Sequence, residues 1–312
     1  MNRVPSVDLS DFLSNDLVKK QKFVSEIGDA FEQIGFVALK GHFLNDELKD
    51  ELYSVVKSFF SLKEKIKKQY EIKGGGGQRG YTSFGKETAK GETRADLKEF
   101  WHFGQINDPK NQYPSNIRVT EIANFNSCGE KVFDCLEQTA KEVLRALALH
   151  LKLDEFYFDD WVVGGNSILR ALHYPPVSKE QQKSIRAAAH GDINLITLLM
   201  GAHGKGLQVK NKDEQWIDAI AEKDELMINV GDMLSRHTNN KLKSTIHRVI
   251  NPNAQIVNKS RYSIPFFMHP KLHMPLNCLE NCIDKNNPKQ YEDSTSGEFL
   301  TERLTELGLI KK

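Results

Sequence analysis

The sequence of 312 residues predicts an α+β fold. In this fold, amphipathic helices precede a strand-rich core of the sandwich or jelly-roll type. Apolar residues at helical spacing characterise the first half of the chain. After Asp160, short apolar runs alternate with turn residues, a pattern typical of sandwiches and jelly rolls. A closing helix is predicted after Thr295, which forms a capping-box motif with Glu298.

The elements follow in order from this periodicity. In the N-terminal half we expect a strand over 4–9, a helix up to Gly35, a strand over 36–39, and helices over about 46–70 and 129–152. In the second half the predicted strands are 167–174, 193–200, 207–209, 226–230, 245–250 and 261–268. The helices therefore come first and the strand-rich core follows.

Composition is that of an ordinary globular protein, with a formal charge of +1, 39% hydrophobic and 27% charged residues. The balanced charge argues against nucleic-acid binding. No apolar run approaches the roughly 18 residues that span a bilayer, and the acidic N-terminus resembles no targeting peptide. We expect a cytoplasmic monomer with a small-molecule substrate, without nucleic-acid or membrane partners, and the four cysteines predict no disulfide scaffold.

A candidate metal site is indicated by His190 and Asp192, which stand two residues apart at the start of the predicted strand 193–200. Residues i and i+2 of a strand point to the same side, so both side chains would face one cavity. His247, in the predicted strand 245–250, supplies a second imidazole. Two histidines and one carboxylate with open coordination positions are the pattern of iron(II) oxygenases. His237 is expected in a turn, at the surface or outside the ligand set.

The strand 261–268 repeats this spacing with Arg261 and Ser263. A guanidinium and a hydroxyl on one face form a clamp for a carboxylate. On the strand 167–174, alternation places Arg170 and Tyr174 on one face. A buried Arg170 requires either an internal acid or an anionic substrate, and both remain open. Phe267 is a candidate for the pocket wall or the core.

Three other histidines are less suited to the site. His173 should point to the sheet face opposite Tyr174, and His269 and His273 are expected at the periphery. Lys73–Gly80 is glycine-rich but lacks the Gly-Lys-Ser/Thr ending of a phosphate-binding loop, which predicts a flexible loop. The segment 82–103, with Glu87, Arg94, Asp96 and Trp101, is a candidate for the entrance of the pocket.

Further short motifs occur along nearly the whole chain, in addition to the metal and clamp motifs. They are Gly35-Phe36, Gly41-His42, Phe59-Phe60, Arg79-Gly80-Tyr81, Lys98-Glu99-Phe100, Tyr174-Pro175-Pro176, Gly231-Asp232 and Lys243–Val249. With the metal and clamp motifs, the sequence resembles the isopenicillin N synthase-like family of 2-oxoglutarate and Fe(II)-dependent dioxygenases.

The resemblance implies a double-stranded β-helix, a distorted jelly roll, with an N-terminal helical layer and a C-terminal helix. It implies a single domain, 1–312, with an N-terminal region over 1–110, a jelly-roll core over 160–270 and a closing helix over 290–312. Iron would be held by His190, Asp192 and His247, and 2-oxoglutarate by Arg261, Ser263 and Tyr174. With O2, the expected reaction oxidises a small molecule, most simply by hydroxylation, and converts 2-oxoglutarate to succinate and CO2. Arg170 and Phe267 are the candidate substrate contacts.

Other functions fit parts of this pattern. Oxidases of the same family form ethylene or close the isopenicillin N ring, and some of them use no 2-oxoglutarate. A metal-dependent binding protein would have no need for both an intact triad and an intact clamp. A zinc hydrolase can use two histidines and an aspartate, but it would leave the carboxylate clamp without a purpose.

Overall fold

The computed structural model describes residues 3–72, 77–86, 98–108, 112–176, 187–202, 206–250 and 260–306. The helices in these residues are α1 (Leu9–Leu13), α2 (Leu17–Gln33), α3 (Asp46–Phe60), α4 (Glu64–Lys67), α5 (Phe125–His150), α6 (Asp159–Val162), α7 (Asp232–His237) and α8 (Ser296–Glu306), with short 3-10 turns at Lys68–Tyr70 and Glu280–Cys282. The strands are β1 (Ser6–Asp8), β2 (Phe36–Lys40), β3 (Gly80–Thr82), β4 (Glu99–Gly104), β5 (Ile168–Tyr174), β6 (Ala187–His190), β7 (Ile196–Met200), β8 (Leu207–Lys210), β9 (Trp216–Asp218), β10 (Leu226–Val230), β11 (His247–Val249) and β12 (Arg261–Met268).

The N-terminal helices form where the sequence offers both a cap and an apolar stripe. Asp16 caps α2 by accepting from the N–H groups of Val18 and Lys19, and Asn45 caps α3 in the same way. The helix expected over about 46–70 ends at Phe60, earlier than the periodicity suggests. There the Ser61 hydroxyl donates to the Lys57 carbonyl at 2.8 Å, a side-chain bond that competes with continuation of the helix.

Two sheets form the core. The major sheet has eight strands in the order β1-β2-β10-β7-β12-β5-β4-β3, and the minor sheet has four in the order β6-β11-β8-β9. Only the β1–β2 pair is parallel among these described strands. The predicted helices-then-strands order and the jelly-roll α+β fold are confirmed.

The two faces of the major sheet have different environments. One face packs on α5, where the Phe133 ring meets the edge of Phe266 at 5.1 Å between centroids. A separate apolar cluster includes Phe36 and Met227 of the major sheet and Val209 of the minor sheet. The small buried cluster of Phe100, Leu172 and Tyr174 is distinct from both. The helix-facing side is therefore the main core, and the other side holds the candidate site.

The closing helix α8 begins with the expected capping box. The Thr295 N–H donates to the Glu298 carboxylate at 2.7 Å, and the Glu298 N–H donates back to the Thr295 hydroxyl at 3.3 Å. All four cysteines are free thiols. Within the described ranges, no helix has the length and apolar character needed to cross a membrane.

Some predictions lie outside the described residues. These are positions 73–76 of the glycine-rich loop, Glu87, Arg94 and Asp96 of the proposed entrance, and the last six positions of the closing helix. Trp101 lies in β4 and is buried in the main core, so it does not form an entrance.

Candidate functional site

His190 and Asp192 come together differently from the prediction. His190 is the last residue of β6 in the minor sheet, whereas Asp192 lies in the connection that leads to β7 of the major sheet. The predicted common strand 193–200 begins only at Ile196, because the Asn194 side chain donates to the Ile196 carbonyl at 2.6 Å and holds an irregular turn there. The two side chains therefore meet at a crossing between sheets and not by alternation along one strand.

His247 reaches the same point through strand pairing. It lies directly opposite His190 in the antiparallel β6–β11 pair, and the two imidazole centroids are 4.5 Å apart. The Nε2 atoms of both histidines lie 3.9 Å from Oδ1 of Asp192. One ligand atom from each of these residues falls within 4.8 Å of the others. This separation leaves space for one ion between three donors.

The Asp192 carboxylate has two different oxygen atoms. Oδ2 accepts from the Thr197 hydroxyl at 2.6 Å and from the Asn229 amide at 2.8 Å. Oδ1 faces the two imidazoles. Burial by itself would raise the pKa of Asp192, but the imidazoles and the two hydrogen bonds outweigh it and lower this pKa below its ordinary value. The carboxylate is thus ionised, with one oxygen oriented and the other available.

His247 has a preset tautomer. Its Nδ1–H donates to the Thr245 carbonyl at 3.2 Å, which leaves the lone pair on Nε2 facing Asp192. Burial lowers the pKa of His247, although Asp192 partly opposes this shift. A neutral imidazole with a fixed tautomer is the form that binds a metal. The donor set and its partners therefore fit an Fe(II) ion.

The predicted carboxylate clamp is assembled by β5 and β12. Arg261 pairs with Tyr174 across these strands, and Ser263 pairs with Leu172. Burial lowers the pKa of Arg261, while Tyr174 and Tyr53 act in the opposite direction. A guanidinium keeps its charge at neutral pH even so. The structure thus places a half-buried cation and two hydroxyl-bearing side chains at one end of the β5–β12 pair.

Phe267 and Arg170 lie further along the same two strands. Phe267 pairs with Thr197, which in turn pairs with Asn229. Because Thr197 and Asn229 both hold Asp192, Phe267 shares a sheet row with the metal site. The Arg170 guanidinium lies over the Phe267 ring at 5.4 Å and over the Phe100 ring at 4.4 Å. Phe267 itself is half-buried.

Arg170 also has a hydrogen-bond partner that the sequence did not suggest. Its Nε donates to Nε2 of His102, the residue opposite it on β4, at 2.6 Å. His102 itself stacks against Phe100 at a tilt. An imidazole therefore fixes one side of the guanidinium.

The remaining histidines divide into confirmed and incorrect predictions. His173 points away from Tyr174 to Glu99, and His273 is exposed, as expected. His237 lies outside the group of proposed ligands, as expected. Its predicted place in a turn at the surface was wrong, because it ends helix α7, is 3% exposed and bonds to Tyr157 and the Asn277 carbonyl. His269 is also not peripheral. Burial lowers its pKa to about 4, and the charges of Asp192 and Arg170 act on it.

Sequence reasoning missed the residues that orient the ligands. Thr197 and Asn229 are polar residues inside otherwise apolar strands, which is a detectable signal for a strand that faces a cavity. Tyr53, which influences the pKa of Arg261 and not the metal ligands, gave no such signal, since it lies on the apolar stripe of α3. Its hydroxyl donates to the Met200 carbonyl, and burial raises its pKa to about 12.

Comparisons with known families agree with this geometry. Residues 4–122 match the family described as "non-haem dioxygenase in morphine synthesis N-terminal". Residues 165–270 match the 2OG-Fe(II) oxygenase superfamily. The two matches together cover helices α1 to α4 and the strands that carry the site.

Similar proteins extend over nearly the entire chain. The 2-oxoglutarate-Fe(II) type oxidoreductase hxnY of Emericella nidulans is 30% identical over 95% of this chain and 88% of its own. A 2OG-Fe(II) oxygenase family structure from Caulobacter crescentus is 41% identical, with a TM-score of 0.88 over 98% of this chain and 99% of that one. A full-length Neurospora crassa protein, solved in complex with alpha-KG and thymine, is 31% identical, with a TM-score of 0.86 over 97% of this chain and 96% of that one. This chain belongs to the 2OG-Fe(II) oxygenase superfamily and is a non-haem Fe(II)- and 2-oxoglutarate-dependent dioxygenase.

Proposed function

We propose that this dioxygenase hydroxylates a small molecule bound between the two sheets. Three groups of side chains have separate tasks in this proposal. The proposed iron ligands are His190, Asp192 and His247, the proposed 2-oxoglutarate contacts are Arg261, Ser263 and Tyr174, and the proposed substrate contacts are Arg170 and Phe267.

One observation carries the proposal for the metal. Only Oδ2 of Asp192 has hydrogen bonds from described residues, whereas Oδ1 lies 3.9 Å from two imidazole nitrogens. A buried carboxylate oxygen that faces two imidazole nitrogens is suited to bind a cation between them, because a buried charge is costly without a partner. Zinc would fit the donors as well, but the adjacent Arg261 and the superfamily membership support Fe(II) with 2-oxoglutarate.

Bound iron, with 2-oxoglutarate and O2, supplies the oxidising power that breaks a substrate C–H bond, while 2-oxoglutarate is converted to succinate and CO2. The protein's residues orient and protect this chemistry. Arg261 and Ser263 would fix the distal carboxylate of 2-oxoglutarate by charge-assisted hydrogen bonds. Tyr174, 6% exposed, would donate to the same co-substrate and exclude water.

The substrate side is defined by Arg170 and Phe267. The guanidinium is stacked on two aromatic rings and held by His102, so its orientation is fixed. We propose a substrate that presents a carbonyl or carboxylate oxygen to Arg170 and an apolar or flat face to Phe267. The thymine complex of the similar Neurospora crassa protein supports a ligand of this size and chemistry.

The test is anaerobic reconstitution with Fe(II) and 2-oxoglutarate, followed by exposure to air and measurement of succinate. His190→Ala should abolish both succinate and the visible absorption band of the Fe(II)–2-oxoglutarate complex. Arg261→Ala should raise the KM for 2-oxoglutarate by more than about tenfold, since a hydrogen bond to a charged group contributes roughly 1.5–3 kcal/mol. Arg118→Ala, at an exposed arginine paired with Glu130, is the matched control. A band that survives His190→Ala would contradict the proposed ligand set.

The substrate contacts are tested with the same succinate assay. Nucleobases and small aromatic or keto acids are screened for stimulation of succinate formation. For a compound that stimulates it, Arg170→Ala should raise the KM for that compound and leave the KM for 2-oxoglutarate unchanged. Equal effects on both constants would remove Arg170 from the substrate site.

A further inference from the structure

Asp232 stands directly behind the proposed metal ligands. It is the first residue of α7, and its backbone N–H donates to the carbonyl of Asp192 at 2.7 Å. The neighbouring Gly231 N–H donates to the Leu195 carbonyl at 2.8 Å. The start of α7 therefore fixes the backbone of the segment that carries one proposed ligand.

The Asp232 carboxylate reaches a second ligand-bearing segment. Its Oδ1 accepts from the Ser244 hydroxyl at 2.5 Å, and Ser244 lies three positions before His247. Gly191, between His190 and Asp192, packs against both groups. A Cβ at Gly191 would lie 3.0 Å from Asp232 Oδ1 and 3.2 Å from Ser244 Oγ. Asp232 thus joins the chain segments on which all three proposed ligands lie, through its backbone N–H to Asp192 and its carboxylate to Ser244 and Gly191.

The other oxygen of Asp232 faces the C-terminal helix. Arg303 of α8 places Nη2 3.6 Å from Asp232 Oδ2, and both side chains are about one quarter exposed, at 27% and 26%. The helix itself is anchored at its start, where the Ser296 hydroxyl donates to the Lys271 carbonyl at 2.6 Å. Arg303 therefore approaches Asp232 from an element that is fixed independently of the metal site.

We propose that Asp232 is a positioning residue of the metal centre and that Arg303 of the C-terminal helix holds the Asp232 carboxylate in place. The inference rests on the proposed ligands His190, Asp192 and His247. Residues that orient metal ligands typically contribute about 10–100-fold to metal affinity. The Asp232 backbone N–H binds the carbonyl of one ligand, and its carboxylate binds the segment that carries another. Loss of the carboxylate should release the His247 segment and weaken metal binding without removing a ligand.

The experiment measures the Fe(II) dissociation constant under anaerobic calorimetry and the Tm of the metal-free protein. Asp232→Ala should raise the Kd by at least about tenfold. Arg303→Gln should raise it by about threefold, as expected for a partly exposed ion pair, and Arg303→Lys should restore most of the affinity. Arg118→Gln, which breaks an exposed ion pair with Glu130, is the matched control. The visible spectrum of the Co(II)-substituted protein should change in Asp232→Ala and not in the control.

Two kinds of failure are distinguishable. If His190→Ala binds Fe(II) as tightly as the parent protein, the proposed ligand set is wrong and the inference falls with it. If His190→Ala loses the metal while Asp232→Ala and Arg303→Gln keep the parent Kd and Co(II) spectrum, the inference alone is overturned. A lower Tm with an unchanged Kd also overturns it, because Asp232 would then only stabilise the fold. Should Asp232→Ala not fold, the Arg303 pair of variants decides the question.

Discussion

Two buried carboxylates, Glu99 on one side of the major sheet and Asp192 on the other, have similar exposure and different surroundings. Glu99 is 5% exposed and Asp192 is 9% exposed. Both Glu99 oxygens are occupied, because Oε1 is bonded to His173 at 2.7 Å, and Oε2 accepts from Lys67 at 2.6 Å and from Tyr81. Asp192 has described donors on Oδ2 only.

The pKa directions alone do not separate these two groups. Burial would raise the pKa of Glu99, but hydrogen bonds from His173, Lys67 and Tyr81 lower it, just as the partners of Asp192 lower that pKa. The number of available oxygens separates them. A buried carboxylate with both oxygens hydrogen-bonded stabilises the fold, whereas one with an oxygen directed at two imidazole nitrogens is suited to bind a cation.

The largest expected effect is on Fe(II) affinity, when Asp192, of the two carboxylates, is replaced. Asp192→Asn keeps the shape and the bond from Thr197 but removes the charged ligand. Fe(II) affinity should fall by more than about a thousandfold, beyond the roughly 10–100-fold of orienting residues. The metal-free protein should lose a modest amount of stability at neutral pH, because the fold lowers the pKa of Asp192 and therefore favours its ionised form. Calorimetry and thermal unfolding of metal-free protein measure the two effects, and a strongly lowered Tm would remove the distinction from Glu99.

The corresponding substitution in the other carboxylate is Glu99→Gln, which leaves the buried Lys67 ammonium without its carboxylate. Breaking a buried ion pair from one side costs about 3–5 kcal/mol, so the free energy of unfolding in urea should fall by that amount. Fe(II) affinity should not change. Glu130→Gln, at the exposed pair with Arg118, should cost less than about 1 kcal/mol. A loss of metal affinity in Glu99→Gln would mean that the two carboxylates are coupled through the sheet.

Buried histidines extend the comparison. His237 is bonded at both nitrogens, to Tyr157 and to the Asn277 carbonyl, whereas His247 uses only Nδ1 for a described hydrogen bond. Burial lowers the pKa of His237 from 6.5 to about 4. As the pH falls, the unfolded chain therefore protonates His237 before the folded chain does. The free energy of unfolding decreases as the pH falls from about 6.5 towards 4.

Replacing His237 tests the sign of that shift. At about 1.4 kcal/mol per unit of pKa, this group should account for roughly 3 kcal/mol of the acid-induced loss. His237→Gln should flatten the dependence of the unfolding free energy on pH over this window, with the exposed His273→Gln as the matched control. Parallel profiles for His237→Gln and the parent protein would show that His237 is not neutral in the fold.

Much of this arrangement could be predicted from the sequence. Periodicity located the strands 226–230 and 261–268, and alternation correctly put Tyr174 and His173 on opposite faces. Pairing between strands could not be deduced in this way. The contact of His190 with His247 depends on the β6–β11 register, and the contact of Asp192 with Asn229 depends on a crossing between sheets. Such contacts are set by tertiary packing, which local patterns do not encode.

Replacement of Glu298 should have the smallest effect on stability. This carboxylate is hydrogen-bonded but exposed, so it separates the effect of hydrogen bonding from that of burial. It accepts from the Thr295 N–H at 2.7 Å and the Thr295 hydroxyl at 2.9 Å, yet it is exposed to solvent. Glu298→Ala should reduce the unfolding free energy by less than Glu99→Gln does, because water can replace the partners of an exposed carboxylate. Glu298→Gln should recover most of the loss, since an amide oxygen also accepts these bonds. A loss of unfolding free energy as large as that of Glu99→Gln would mean that a carboxylate's hydrogen bonds stabilise the fold whether or not it is buried. The difference between Glu99 and Asp192 would then depend only on Oδ1 of Asp192, which has no described hydrogen bond.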